Sequence, residues 1–286
     1  MSATASLTVG GVEGVQVAYE RQGVGPPLLL LHGIGHHRQA WAPVVERLAG
    51  KRDVVAIDFP GFGESPDVPA ALPDELDTFA AVLDAFCREL GIERPHVAGN
   101  SMGGMVALRL GQLGLARSVT ALSPAGFWTP RQRTWALNVL TGMRRVTQRT
   151  PEPTLRRMAR TPAGRRVMTG MIYHHPAQRT PEAVYAESLS LRDGPAFDRV
   201  AAYARRGTVF EGDVPGVPVT IAWGTHDRIL PRSQALRAHH QIPQARIVSL
   251  AGCGHIPMND APGLVAHILL QGSSARATAA PGPTGA

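Results

Sequence analysis

The chain has 286 residues, 44% of them hydrophobic and 18% charged, with a formal net charge of +7 at pH 7. That is the composition of a soluble globular enzyme long enough to bury a substantial core without disulfide staples. Cys87 and Cys253 form no spacing motif, Met1 to Leu7 carry no basic and apolar leader, and no run reaches the roughly 18 apolar residues of a membrane span, so neither a disulfide framework, a secretory signal nor a membrane helix is expected, and a cytoplasmic protein is.

In chain order, Leu7–Val9 and Val15–Arg21 alternate around glycines as a hairpin does. Pro27–Leu31 is apolar on both faces, the pattern of a buried parallel strand, and ends in His32-Gly33. Helical spacing follows over Ala40–Leu48, then a strand over Val54–Ile57 and a helix over Glu75–Leu90. Pro95–Ala98 reads as a strand running into Gly99, Met102–Leu110 as a helix and Val119–Leu122 as a strand. After a long interval come a strand at Val219–Trp223, a helix at Arg232–His239, a strand at Arg246–Leu250 and a helix at Ala261–Leu270.

Strands alternating with helices predict an α/β fold: a mostly parallel eight-stranded sheet with helices on both faces. The alternation stops between Thr129 and Gly207, where short helices punctuated by prolines predict a helical cap insertion over the carboxyl ends of the strands. The expected organisation is therefore a core of residues 1–128 and 208–271, a cap of 129–207 and a disordered tail of 272–286 rich in Gly, Ala, Ser, Thr and Pro. Between Pro124 and Phe210 there are 15 Arg against five acids, whereas the rest of the chain has 14 basic and 17 acidic residues. A solvated basic surface is the expectation, because no nucleic-acid motif accompanies the charge.

The chemistry concentrates in Gly99-Asn100-Ser101-Met102-Gly103. A strand enters this G-x-S-x-G run and a helix leaves it, so a sharp turn should lift the Ser101 hydroxyl clear of the sheet, with small residues required two positions to either side. A serine hydroxyl needs a base to take its proton. His255 is placed for that on the loop after the last strand, and Asp227, on the loop after the preceding strand, is placed to orient it. Oxyanion donors are expected from the backbone N–H of Met102 and of Ile34 in the turn His32-Gly33-Ile34-Gly35. Phe127, Trp128, Trp135 and Ile256 are the candidate walls of a substrate pocket. The adjacent pairs His36-His37, His174-His175 and His239-His240 point apart along any regular element, so no metal is expected.

These motifs resemble the α/β-hydrolase superfamily. Asp58-Phe59-Pro60-Gly61-Phe62-Gly63-Glu64-Ser65 is similar to its D-x-P-G-x-G-x-S turn, and Trp223-Gly224-x-x-Asp227-x-x-x-Pro231 and Gly252-Cys253-Gly254-His255 match its later segments. Gly-Asn-Ser-Met-Gly-Gly resembles the meta-cleavage-product hydrolases, which break a carbon–carbon bond and usually carry Trp after the catalytic His, where this chain has Ile256. The resemblance implies a capped serine hydrolase using Ser101, Asp227 and His255, with no cofactor. The expected substrate is a small to medium ester or lactone. C–C hydrolysis and non-hydrolytic ligand binding are the alternatives. A small molecule is the expected partner, with neither nucleic acid nor membrane.

Overall fold

The structure is a computed structural model and describes residues 2–73 and 75–274. Eight strands form one sheet in the order β1-β2-β4-β3-β5-β6-β7-β8. They are β1 (Ser2–Val9), β2 (Val12–Gly23), β3 (Pro27–Leu31), β4 (Asp53–Ile57), β5 (His96–Asn100), β6 (Ser118–Leu122), β7 (Val219–Gly224) and β8 (Arg246–Leu250). β1 and β2 pair antiparallel, as do β2 and β4, and every later pairing is parallel. The hairpin is longer than its alternating residues suggested.

The pleat explains why the central strands are apolar throughout. Leu29, Leu31, Val55 and Ile57 face one hydrophobic cluster, while Leu28, Leu30, Val54 and Ala56 face the other. Helix α1 (Ala42–Ala49) covers the second face. A 3-10 turn, Arg38–Trp41, precedes it. The sequence pattern ran the helix back to Ala40, but Pro43 has no N–H to donate to Gln39, and Ala42 donates there instead. Helices α2 (Leu76–Glu89) and α3 (Met102–Gln112) cover the first face through Val82, Leu83, Phe86 and Val106.

Between β6 and β7 the chain forms five helices: α4 (Pro130–Arg149), α5 (Glu152–Arg160), α6 (Pro162–Thr169), α7 (Pro181–Asp193) and α8 (Phe197–Arg205). Thr129, Thr161 and Thr180 cap α4, α6 and α7, each with a proline just inside the helix. Several arginines of this insertion hold it together. Buried Arg165 donates to the carbonyls of Ala159 and Ala177, and Arg144 to that of Leu191. Helices α9 (Ser233–Gln241), α10 (Pro257–Asp260) and α11 (Pro262–Gly272) complete the fold.

The expected disordered tail lies outside the described residues from 275 onward. At its start the expectation is corrected: α11 runs through Gly272, and Ser273 is buried with the Arg52 guanidinium donating to its hydroxyl and carbonyl. No described helix is long and apolar enough to cross a membrane.

Candidate active site

Ser101 stands where β5 turns into α3. Its backbone is in an unusual region, φ 54° and ψ −115°, which a serine holds only when the surroundings over-determine it. The turn is closed by the Ser101 N–H donating to Leu122 O at 3.0 Å. It is tight because glycines flank it. A Cβ on Gly99 would lie 2.0 Å from Gly103 O, and one on Gly103 would lie 2.4 Å from Leu31 O.

His255 and Asp227 are brought together. His255 Nδ1 donates to Asp227 Oδ2 at 2.8 Å, with both side chains buried. The other oxygen, Oδ1, accepts from the N–H groups of Ile229 and Leu230 at 2.9 and 2.8 Å, which fixes the carboxylate plane. Asn100, beside the serine, donates from one amide to Leu122 O and His255 O. It thus ties the loop of His255 to the turn of Ser101. The sequence motif contains Asn100, but nothing in it signals this role.

Ser101 and His255 lie on the wall of one cavity of about 370 Å³, together with Ile34 and Ile256. α4, α5, α6 and α7 supply its apolar far side, through Leu140, Leu155, Val167 and Leu191 among others. A second, smaller cavity of about 60 Å³ shares Ser101, Ile34 and Leu140 with it and reaches Met102 and Trp128. The two lobes therefore meet at the serine.

Ile34 lies in the turn closed by the His36 N–H donating to Gly33 O at 3.2 Å. Met102 is the first residue of α3, so its N–H has no acceptor within the helix. His32 holds the same turn from behind, with Nδ1 donating to Gly33 O at 2.7 Å and Nε2 accepting from the Phe59 N–H at 3.0 Å. Burial pushes this ring down to about 4, so it is neutral.

Two expected pocket residues lie elsewhere. Phe127 is buried in the core, its ring 5.4 Å from that of Phe210. Trp135 is half exposed and donates its indole N–H to Arg228 O at 3.0 Å. An aromatic residue type does not reveal which side of a helix faces the cavity. Helix α4 turns Leu140 and Met143 inward instead. Trp128 and Ile256 do stand on cavity walls.

None of the 15 arginines between Pro124 and Phe210 lines either cavity. Sequence reasoning also missed a buried polar group on the larger wall, formed by His36, Tyr173 and Glu187. Cys253 is a buried thiol pushed up to about 12 by burial, so it acts as a small apolar side chain. Among the described residues no group of three or more His, Cys, Asp or Glu is arranged to hold a metal ion. The rings of His174 and His226 simply stack, 3.8 Å apart.

The chain belongs to the alpha/beta hydrolase fold family, whose model matches residues 26–262. It is 28% identical over 241 residues to the dihydrolipoyllysine-residue acetyltransferase component of the acetoin cleaving system of Pseudomonas putida. That match covers 83% of this chain and 60% of the relative, so the chain spans less than two thirds of that relative's length. It is 29% identical over 272 residues to a 2-hydroxy-6-oxononadienedioate/2-hydroxy-6-oxononatrienedioate hydrolase of Paraburkholderia phymatum, covering 86% of each. Among solved structures, a thermophilic esterase from Thermogutta terrifontis superposes with a TM-score of 0.73 at 22% identity, over 94% of this chain and 97% of that one, a likeness of fold.

Proposed function

We propose that this α/β-hydrolase-fold enzyme is a serine hydrolase that cleaves an uncharged carboxylic ester or lactone of small to medium size through an acyl-enzyme. The observation that carries this reading is the buried 2.8 Å bond from His255 to Asp227 beside the cavity wall that holds Ser101. Ser101 Oγ attacks the substrate carbonyl while His255 Nε2 takes its proton. Asp227 keeps the Nδ1–H tautomer and stabilises the imidazolium without becoming protonated. The N–H groups of Ile34 and Met102 receive the developing oxyanion. His255 then protonates the leaving alcohol, and water repeats the sequence on the acyl-enzyme. Residues 129–207 act as a cap over a core of residues 1–128 and 208–271, excluding water from the acyl group.

The cavity linings favour ester over C–C hydrolysis. A dienoic acid of the meta-cleavage type is anionic and calls for a cationic partner, yet no arginine or lysine lines either lobe. The test is to incubate wild type and Ser101→Ala with p-nitrophenyl esters of rising acyl length. Turnover by wild type alone, with a best chain length set by the larger lobe, is expected. Equal turnover by both proteins would overturn the reading.

A further inference from the structure

Besides Ser101, His255 and the hydroxyls of Thr147, Thr150 and Ser188, the wall of the larger cavity carries ionisable side chains that converge from three separate segments: His36 after β3, Tyr173 after α6 and Glu187 on α7. Their protons can be assigned. The His37 N–H donates to His36 Nδ1 at 3.0 Å, which requires a lone pair there. Burial, with the neighbouring His37, holds the His36 ring well below its ordinary value, so it is neutral and carries its proton on Nε2. That N–H lies 3.4 Å from the Tyr173 hydroxyl and 3.9 Å from Glu187 Oε1.

The Tyr173 hydroxyl is paired electrostatically with the Glu187 carboxylate. Burial first, then the Glu187 charge, raises it well above the usual tyrosine range. Arg179 sits 4.8 Å over the Tyr173 ring and donates to Glu187 Oε1 and to Asn259 Oδ1, but it does not reach the cavity wall. The Arg179 guanidinium therefore approaches Glu187 from behind the cavity wall. Burial raises the Glu187 carboxyl above its ordinary value, and the Arg179 charge opposes that rise; as a carboxylate Glu187 offers about four acceptor sites.

A buried ion pair is seldom a source of net stability compared with apolar packing. Its position on the wall of a cavity that also holds Ser101 points to a ligand. We propose that Glu187, braced by Arg179 and Tyr173, is a specificity-determining residue that accepts a hydrogen bond from a hydroxyl on the acyl part of the substrate. The preferred substrates are then uncharged hydroxyacyl esters or lactones, a refinement that rests on the serine-hydrolase reading of the same cavity. An anionic acyl group would meet Glu187 with repulsion. A cationic one would bring an uncompensated charge into an apolar lobe, because Arg179 already balances the carboxylate.

Binding is measured by calorimetry on Ser101→Ala, using hexananilide and its 2- to 6-hydroxy derivatives as uncleaved stand-ins. At least one hydroxylated ligand should bind about tenfold or more tightly than hexananilide, the scale of a hydrogen bond to a charged acceptor. Adding Glu187→Gln should bring the pair to within about threefold. The proposal is overturned if no hydroxylated ligand gains affinity, or if the gain survives Glu187→Gln. Should the double variant fail to fold, the comparison on Ser101→Ala decides alone. Turnover of the matching esters by wild type is scored separately, so a hydroxyl preference without turnover would remove the hydrolase reading and keep the binding site.

Discussion

The backbone N–H of His255 donates to the carbonyl of Ile172 at 2.7 Å, so the loop that carries the imidazole is fastened to the helical insertion as well as to the sheet. Asp260 reinforces that link. Its carboxylate accepts from the N–H groups of His174 and Gly254 on one oxygen and of His175 on the other, at 2.8 to 3.0 Å. A Cβ on Gly254 would meet Ile172 O at 2.5 Å, so the two segments also touch directly.

Asp260 is therefore expected to act as a positioning residue for His255. Asp260→Ala leaves three backbone donors without their acceptor and should cost about 2–4 kcal/mol of stability. It should also lower kcat by tenfold or more, because a small misplacement of His255 as the proposed base is costly. Asp260→Asn keeps one acceptor and should recover part of both. Urea melts and steady-state kinetics on the two variants check this. Equal losses of stability with kcat unchanged would leave Asp260 a purely structural staple.

Two glycines should respond oppositely to the same added methyl group. On Gly103 a Cβ would stand 2.4 Å from Leu31 O and 2.5 Å from His32 O, both rigid backbone atoms. Gly103→Ala should lose about 3 kcal/mol or more, or fail to fold. On Gly263, in the first turn of α11, nothing lies within 4 Å. Gly263→Ala should gain about 0.5–1 kcal/mol from the higher helix propensity of alanine. Thermal melts of the pair read both signs.

The Asp58 turn rests on a buried charge. Asp58 accepts from the Arg38 backbone N–H at 2.6 Å, from the Glu64 N–H at 2.9 Å and from the Arg38 guanidinium. Both side chains are essentially inaccessible. Arg38→Met would strand the carboxylate and should destabilise by about 3–5 kcal/mol. Arg38→Met with Asp58→Asn should be less damaging than the sum of the two single changes, because removing the charge removes the reason for the penalty. Denaturant melts of the four proteins give the coupling.

What could be read in the sequence was what is local. Pro27–Leu31 announces a two-sided strand because every residue in it is apolar, and the structure divides Leu28 and Leu30 from Leu29 and Leu31 between the two faces. The Ser101 turn is legible because Gly99 and Gly103 sit within two residues of the serine they make room for. By contrast, Glu187 meets Arg179 and His36 through the packing of an insertion on the core, across up to 151 positions. No spacing rule reports such a meeting. Phe127 and Trp135 were misplaced for a related reason, since only tertiary packing decides which aromatic turns toward a cavity.

Acid should destabilise the fold in part through His32. In the folded protein its ring is neutral, held by an Nδ1–H bond to Gly33 O and an Nε2 acceptor bond from the Phe59 N–H. Protonation would set two N–H groups against each other at Nε2. Burial accordingly lowers the ring from 6.5 to about 4. As pH falls below 6.5 the unfolded chain takes up a proton that the folded chain refuses, so stability falls with pH and the loss is complete below about 4. The size of that shift corresponds to roughly 3 kcal/mol. His96, also lowered to about 4 by burial, adds to the same window. Wild type and His32→Gln are to be melted in urea at pH 7, 6, 5 and 4. The variant should be less stable at pH 7, having lost bonds to the turn that holds Ile34, but its stability should decline with pH by roughly 3 kcal/mol less than that of wild type. Parallel curves for the two proteins would mean that His32 titrates normally and that the turn is held by something else.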